Sequence, residues 1–488
     1  MNIVDPILFQ SKCQPLALAL CAPGSNFGAV TYRRLAQFIH NVGHRVRDHG
    51  LLRGKVVALF IKDPILHAAF ILGLTKLGIV TVSSRELELP KELPVDAVFA
   101  DSSYPSDGGR QVVVVDGSWL TGDGPGDDEI VEEPSSPDDP CRIILTSGTT
   151  GYPKAVTRAT RHVSTRVHRL LTAYGSRFSD CSSIFMDVGL STGIGFTIFV
   201  YTLWRGGSLF LRGGGPAGLM EALASHRVQG MVASPKSLAE MAELADQGSP
   251  SYAGFDTVVW TGSLMSRTLS ERVRSRICSN LVCSYGSTEA GVAASAPAGA
   301  IAKVEGAVGY VAPGVTIDIV GPSGEVLPVG KEGLVRIRSE CVVDGYVGDP
   351  ESTRLKFRDG GFYPGDVGTL TTSGILVLSG RQETVINLGG DKVSPERVEA
   401  ALTSYPQVRD AAAFAVVTPL GLQALGAAIV WHVEADGPGL QEHLRRRLPA
   451  AFIPALLISV DSIPHTTTGK IDRLRLKEIA AARMNERR

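Results

Sequence analysis

No apolar run in this sequence approaches the ~20 uninterrupted residues of a membrane-spanning helix. The stretch Val56 to Val82 is broken by Lys62, Asp63 and Lys76. The apolar piece Pro15 to Ala22 is short and flanked by a single basic residue, Lys12, so it reads as a buried strand rather than a secretory leader. Cysteine is sparse. The seven are scattered, and the closest pair, Cys278 and Cys283, has no second pair to complete a zinc site. Reduced thiols and a cytoplasmic location are the expectation. Excess charge of either sign is also missing: 48 basic against 49 acidic residues leave a net charge of -1, which provides no global field for nucleic acid or anionic lipid. Any polyanionic ligand must be bound locally.

What is present is enough chain for more than one core. At 488 residues, at least two domains are expected. Tyr32, Leu35, Ile39, Val42 and Val46 recur at helical spacing. The continuous run Val56 to Ile61 follows as a buried strand, then Ala68 to Leu74 as helix, and Gly78 to Ser83, Ala97 to Ala100 and Gln111 to Val115 as strands. This rhythm predicts an α/β protein with a largely parallel sheet. Thr121 to Pro140, rich in Gly, Pro, Ser and acids, reads as a solvated loop. After Gly306 the texture shifts to short strands and turns, such as Val315 to Val320 and Gly333 to Arg338, predicting a β-rich subdomain. Beyond Gly380 a compact α+β module is expected. Ser394 caps a helix opened by Pro395, strands run over Ala411 to Val417 and Ala424 to Val433, a helix surrounds Leu440 to Leu448, and the tail frays from Arg483.

The strongest local signal is Thr146-Ser147-Gly148-Thr149-Thr150-Gly151-Tyr152-Pro153-Lys154, directly after the apolar strand Ile143 to Leu145. Hydroxyl donors, glycines that let backbone N–H groups approach, and a mobile lysine make a phosphate cradle by composition. It is not the Walker sequence, because the Gly-Lys-Ser/Thr ending is absent.

Here the chain resembles the adenylate-forming superfamily: acyl-CoA and aryl-CoA synthetases, the adenylation domains of peptide synthetases, and firefly luciferase. The resemblance spans nearly the whole chain. Tyr285-Gly286-Ser287-Thr288-Glu289, Tyr363-Pro364-Gly365-Asp366, Gly380-Arg381-Gln382-Glu383 and Thr468-Gly469-Lys470 follow in the family's order. Each motif is weak alone, and their joint order is hard to obtain by chance. The fold implied is α/β: a large N-terminal domain of α/β layered subdomains plus a β-rich subdomain, residues 1–380, followed by a small mobile α+β C-terminal domain, residues 381–488, with a hinge near Glu383.

The implied reaction joins a carboxylic acid to ATP, giving acyl-AMP and pyrophosphate, and then forms a thioester with coenzyme A. Bringing two anions together requires preorganised positive charge. Glu289 is suited to hold Mg²⁺ on the phosphates, Thr288 to donate to the α-phosphate, and Asp366 and Arg381 to grip the ribose. Gly262, Ser263, Ser284 and Tyr285 are the expected adenine contacts. Lys470 would reach the carboxylate and bridging oxygen, and Gly390 would leave room for a pantetheine arm. Departures are visible as well. Glu383 stands where Asp or Lys is usual, Pro364 replaces a common threonine, and Gly189 to Gly195 lacks the customary histidine or aromatic of the acid pocket. Asp187 is out of register for an amino-acid ammonium.

Competing readings are few. Gly213 to Gly218 satisfies the dinucleotide pattern Gly-x-Gly-x-x-Gly, so an NAD(P)-binding oxidoreductase is the distant rival. A serine hydrolase lacks its Gly-x-Ser-x-Gly. A catalytically silent nucleotide binder has no use for a carboxylate-directed lysine. A separate carrier protein is the alternative acyl acceptor. No carrier attachment motif follows Lys470, which makes free coenzyme A the simpler choice.

Overall fold

The computed structural model describes residues 2–84, 89–90, 92–101, 111–121, 135–146, 153–213, 216–247, 252–382, 386–388, 391–417, 423–433, 435–466 and 471–486. The helix Tyr32–Asp48 forms where its apolar residues recur, capped by the Thr31 hydroxyl, and buries Leu35, Phe38, Ile39, Val42 and Val46. The next helix, Pro64–Lys76, is stopped at its start by Asp63, which accepts from the N–H groups of Ile65 and Leu66 at 2.9 Å each. That helix is apolar on nearly every side and is buried over Ile65, Leu66 and Ala68 to Thr75, as such a helix must be.

These helices pack on a six-stranded sheet ordered Gln111–Val114, Ala97–Ala100, Val56–Phe60, Val80–Ser83, Pro140–Thr146 and Lys154–Ala159. Its strands pair in parallel until the last two, which are antiparallel. A second sheet of 15 strands begins with a parallel set: Leu18–Cys21, Ser208–Leu211, Ser183–Met186, Gly230–Ala233, Thr257–Thr261 and Leu281–Ser287. It continues through antiparallel strands Gly291–Pro297, Ala307–Val311, Ile375–Arg381, Asp366–Leu370 and Gly333–Ser339. The expected β-rich texture after Gly306 is therefore an extension of the same sheet. The solvated loop expected over Thr121 to Pro140 falls largely on residues outside those described.

The small C-terminal domain is a three-stranded sheet, Val408–Val417, Gln423–Trp431 and Leu456–Ser459. Val398, Leu402, Leu440 and Leu444 cover one face from the helices Pro395–Thr403 and Gly437–Arg447, and Leu476 and Ala480 cover the other from Arg473–Glu486. Two expectations change here. Ser394 sits at the cap position without capping, because its hydroxyl donates to Glu396 at 2.5 Å. The chain end does not fray at Arg483, since the last helix runs to Glu486 and Arg483 donates to the Ser459 carbonyl.

Candidate active site

Gly262, Ser263, Tyr285, Gly286, Thr288 and Glu289 lie at or just beyond the carboxyl ends of two neighbouring parallel strands, where open α/β sheets place their ligands. The strand Thr257–Thr261 runs into Gly262 and Ser263, both exposed, with Gly262 at φ 97°. The neighbouring strand Leu281–Ser287 carries Ser284, Tyr285 and Gly286, and a turn then presents Thr288 and Glu289.

Strand alternation separates Ser284 from Tyr285. The Ser284 hydroxyl is buried against the Tyr174 phenol at 2.8 Å, so it offers a ligand its backbone alone. The Tyr285 phenol donates to Asp366 Oδ2 at 2.5 Å. Arg381 lies directly opposite Asp366 in the antiparallel ladder and donates from Nε to Oδ1 at 2.9 Å. Burial, with the Asp366 carboxylate beside it, pushes the Tyr285 phenol well above its ordinary value, so it remains a donor. Each oxygen of Asp366 keeps a further acceptor position, as a pair of sugar hydroxyls would require.

A second cluster joins the first through Glu289, which is 8 % exposed. Its Oε1 accepts from the Tyr346 phenol at 2.8 Å, and the ring of Tyr346 lies 5.0 Å from Lys154 Nζ. Lys154 donates to the Ser352 hydroxyl at 2.5 Å and approaches Asp349 at 3.7 Å. Thr146 and Lys154 are partners in the ladder, so the two ends of the candidate phosphate loop are held together. Its central residues Ser147, Gly148, Thr149, Thr150 and Gly151 lie outside the described residues, as do Glu383, Gly390 and Lys470. Among the described residues no group of three His, Cys, Asp or Glu side chains could hold a metal alone. A single carboxylate with a free oxygen, as Glu289 has, fits Mg²⁺ held mainly by substrate phosphates.

Sequence reasoning missed Tyr346, Asp349 and Ser352, and it also missed three buried arginines. Arg142, Arg158 and Arg166 are 0 %, 1 % and 3 % exposed. None forms a salt bridge among the described residues; they donate to hydroxyls and carbonyls, including Thr288 O, which both Arg158 and Arg166 reach. Burial lowers all three below the usual guanidinium range. The available signal was register: Arg142 and Arg158 stand at inward positions of apolar strands.

Elsewhere, Asp187 is committed to Arg212 by an ion pair. In the dinucleotide-like segment, Gly214 and Gly215 lie outside the described residues. A Cβ on Gly213 would come within 2.6 Å of Pro23 O, so close packing accounts for that glycine.

A parallel strand end carrying a tyrosine that meets an acid and an arginine on adjoining antiparallel strands defines an α/β nucleotide-binding protein. The chain belongs to the AMP-binding enzyme family: the family model matches residues 10–347, and the AMP-binding enzyme C-terminal domain matches residues 397–470. It is 28% identical over 351 residues to a feruloyl-CoA synthase of Amycolatopsis sp, covering 71% of each chain. It is 25% identical over 497 residues to a 4-chlorobenzoate–CoA ligase of Arthrobacter sp, covering 98% of this chain and 95% of the other. The fold matches the o-succinylbenzoate CoA synthetase of Bacillus subtilis, solved with its acyl-adenylate intermediate, with a TM-score of 0.84 at 19% identity over 97% of each chain.

Proposed function

We propose that this chain is an AMP-forming acid–thiol ligase. A carboxylate oxygen attacks the α-phosphorus of ATP and the bond to the α,β-bridging oxygen breaks, releasing pyrophosphate. The sulfur of coenzyme A then attacks the acyl carbon, AMP leaves, and the thiol proton passes to solvent. The observation that carries this reading is the Tyr285–Asp366–Arg381 cluster, whose Tyr285 lies on the strand that leads to Thr288 and Glu289, in a chain of the AMP-binding family. The relatives' names, CoA synthase and CoA ligase, favour coenzyme A over a carrier protein as acceptor.

In this reading Asp366 and Arg381 hold the ribose, and Gly262, Ser263, Gly286 and the Tyr285 ring border the adenine. Thr146 to Gly151 with Lys154 cradle the phosphates, which requires Lys154 to leave Ser352. Thr288 donates to the α-phosphate. Glu289 would hold Mg²⁺, which when bound would supply neutralisation of the phosphate charge. Lys470 addresses the reacting carboxylate, and Gly390 admits the pantetheine arm. Residues 381–488 turn as a domain on residues 1–380 about Glu383 between the two half-reactions.

The test is hydroxamate-trapped pyrophosphate release with Mg·ATP across fatty, aryl and dicarboxylic acids, each with and without coenzyme A. Acid-dependent release accelerated by coenzyme A is the expected result. Release that coenzyme A leaves unchanged transfers the acceptor role to a carrier protein. ATP binding without release for any acid rejects the adenylation reading.

A further inference from the structure

The buried arginines form an arrangement that packing alone does not call for. Arg142 and Arg158 face each other directly across the antiparallel ladder. Like charges in that position destabilise a sheet, and a buried cation without a paired anion is costly. Arg142 spends both Nη2 hydrogens on Ser83 Oγ and Leu190 O, and lies over the Phe196 ring at 5.2 Å. Arg158 is used differently. Its Nη1 donates to Gly193 O at 2.8 Å and Thr197 Oγ1 at 3.2 Å, and its Nη2 gives one hydrogen to Thr288 O at 3.3 Å. The buried Nε has no partner, which is equally so for Arg142 and Arg166; Arg158 alone of the three also keeps a second Nη2 hydrogen with no acceptor among the described residues. Nε and Nη2 together form the side-on edge of a guanidinium that pairs with a carboxylate through two parallel hydrogen bonds.

That edge lies beside the candidate chemistry. A Cβ on Gly193 would stand 2.5 Å from Arg158 Nη2 and 3.1 Å from Thr288 Oγ1, so Gly193 packs against both the guanidinium and the hydroxyl, and only a glycine fits there. The helix Gly193–Trp204 starts here, capped by Thr192, and directs its positive end to the same place. Arg166 adds a third positive group through its shared hold on Thr288 O.

We propose that the acid activated by this chain is a compact dicarboxylic acid, its second carboxylate received by the buried, unsatisfied Nε–Nη2 edge of Arg158 at the N-terminus of the helix Gly193–Trp204. The inference rests on the adenylation reading. Compactness follows from the closeness of Arg158 to Thr288, which leaves little length between the two carboxylates.

Matched acids test it: succinate against butyrate, malonate against propionate, and isophthalate against 3-methylbenzoate, read as kcat/KM for pyrophosphate release. The diacid of at least one pair is expected to be favoured roughly 10²-fold, the usual effect of an unpaired buried charge. Arg158→Met keeps the length and removes the charge. It is expected to bring that pair to near parity and to raise Tm, because an uncompensated cation has gone. Gly193→Ala is expected to abolish diacid use by displacing the guanidinium, which the added methyl would meet at 2.5 Å. An arginine acting only as a strut gives the opposite pattern, a lower Tm in Arg158→Met with the acid preference unchanged, and that pattern overturns the inference. Wild-type activity that favours the monoacids overturns it too, while leaving adenylation standing. Absence of release with every acid removes the adenylation reading and this inference with it.

Discussion

Asp366 accepts from a phenol and a guanidinium at once, which fixes its carboxylate before any ligand arrives. Preorganisation of this kind gives a sugar hydroxyl pair a rigid acceptor. Hydrogen bonds to a charged group contribute about 1.5–3 kcal/mol, so Asp366→Ala is expected to weaken AMP binding roughly 10- to 150-fold. Calorimetric titration with AMP measures this, and unchanged affinity would remove the ribose role from Asp366. A different residue sets a pH dependence. His162 is buried, accepts from the Ala159 N–H at Nδ1 at 3.2 Å, and has no partner for Nε2. Burial, then the charges of Arg161 and Arg166, push it from 6.5 down to about 4. The unfolded chain therefore binds the proton first as pH falls. Stability from neutral His162 is complete above about 6.5 and is lost as pH drops towards about 4, by on the order of 2–3 kcal/mol. Urea unfolding at several pH values should show this slope in the wild type and a shallower one in His162→Gln. Equal slopes would assign the acid sensitivity to other groups.

Among the elements, the helix Gly193–Trp204 ties the sheets to the candidate acid pocket. Thr192 Oγ1 accepts from the Gly195 N–H at 3.0 Å and donates to Gly189 O at 2.9 Å, closing the turn that expectation marked as the pocket wall. Thr192→Ala is expected to cost about 1 kcal/mol of stability, the usual value for an N-cap, with a larger proportional loss in kcat/KM because Gly193 and Arg158 lose their alignment. Thermal unfolding beside pyrophosphate release separates the two effects; a stability loss with full activity would show that the turn does not shape the pocket. Periodicity made such elements legible in advance. Ala97–Ala100 and Val315–Val320 match their expected strands residue for residue, and Tyr32–Asp48 follows its apolar spacing. Apolar patterning records which face of an element is covered, and that is a local property. Partners brought together by the tertiary fold left no such trace. Tyr346 reaches Glu289 across 57 residues, and nothing near Tyr346 in sequence signals a carboxylate. Ser284 is an expected base contact by family resemblance, and the sequence carries no sign that its hydroxyl turns inward to Tyr174. Arg142 and Arg158, which drew no reading from the sequence, stand face to face in the core because the ladder pairs them.

At the scale of the molecule, one chain must serve two reactions with different charge requirements. Adenylation needs a cation aimed at the reacting carboxylate, whereas thioester formation needs an open path for a thiol to the acyl carbon. A small domain whose cores are its own can present one face and then another without unpacking the larger sheets. In the proposed function Lys470 belongs to the first face and Gly390 to the second. The two half-reactions should therefore separate by mutation. Lys470→Ala is expected to lower acid-dependent pyrophosphate exchange by roughly 10²–10³-fold, the effect of removing one donor directed at transition-state charge. The same variant, given preformed acyl-adenylate and coenzyme A, is expected to form thioester at close to the wild-type rate, because that step does not use the lysine. Rapid-quench measurement of both steps on one preparation decides the matter. Loss of both together would mean that Lys470 supports the domain's structure, and retention of exchange would mean that another cation serves the carboxylate, with Arg158 the next to test.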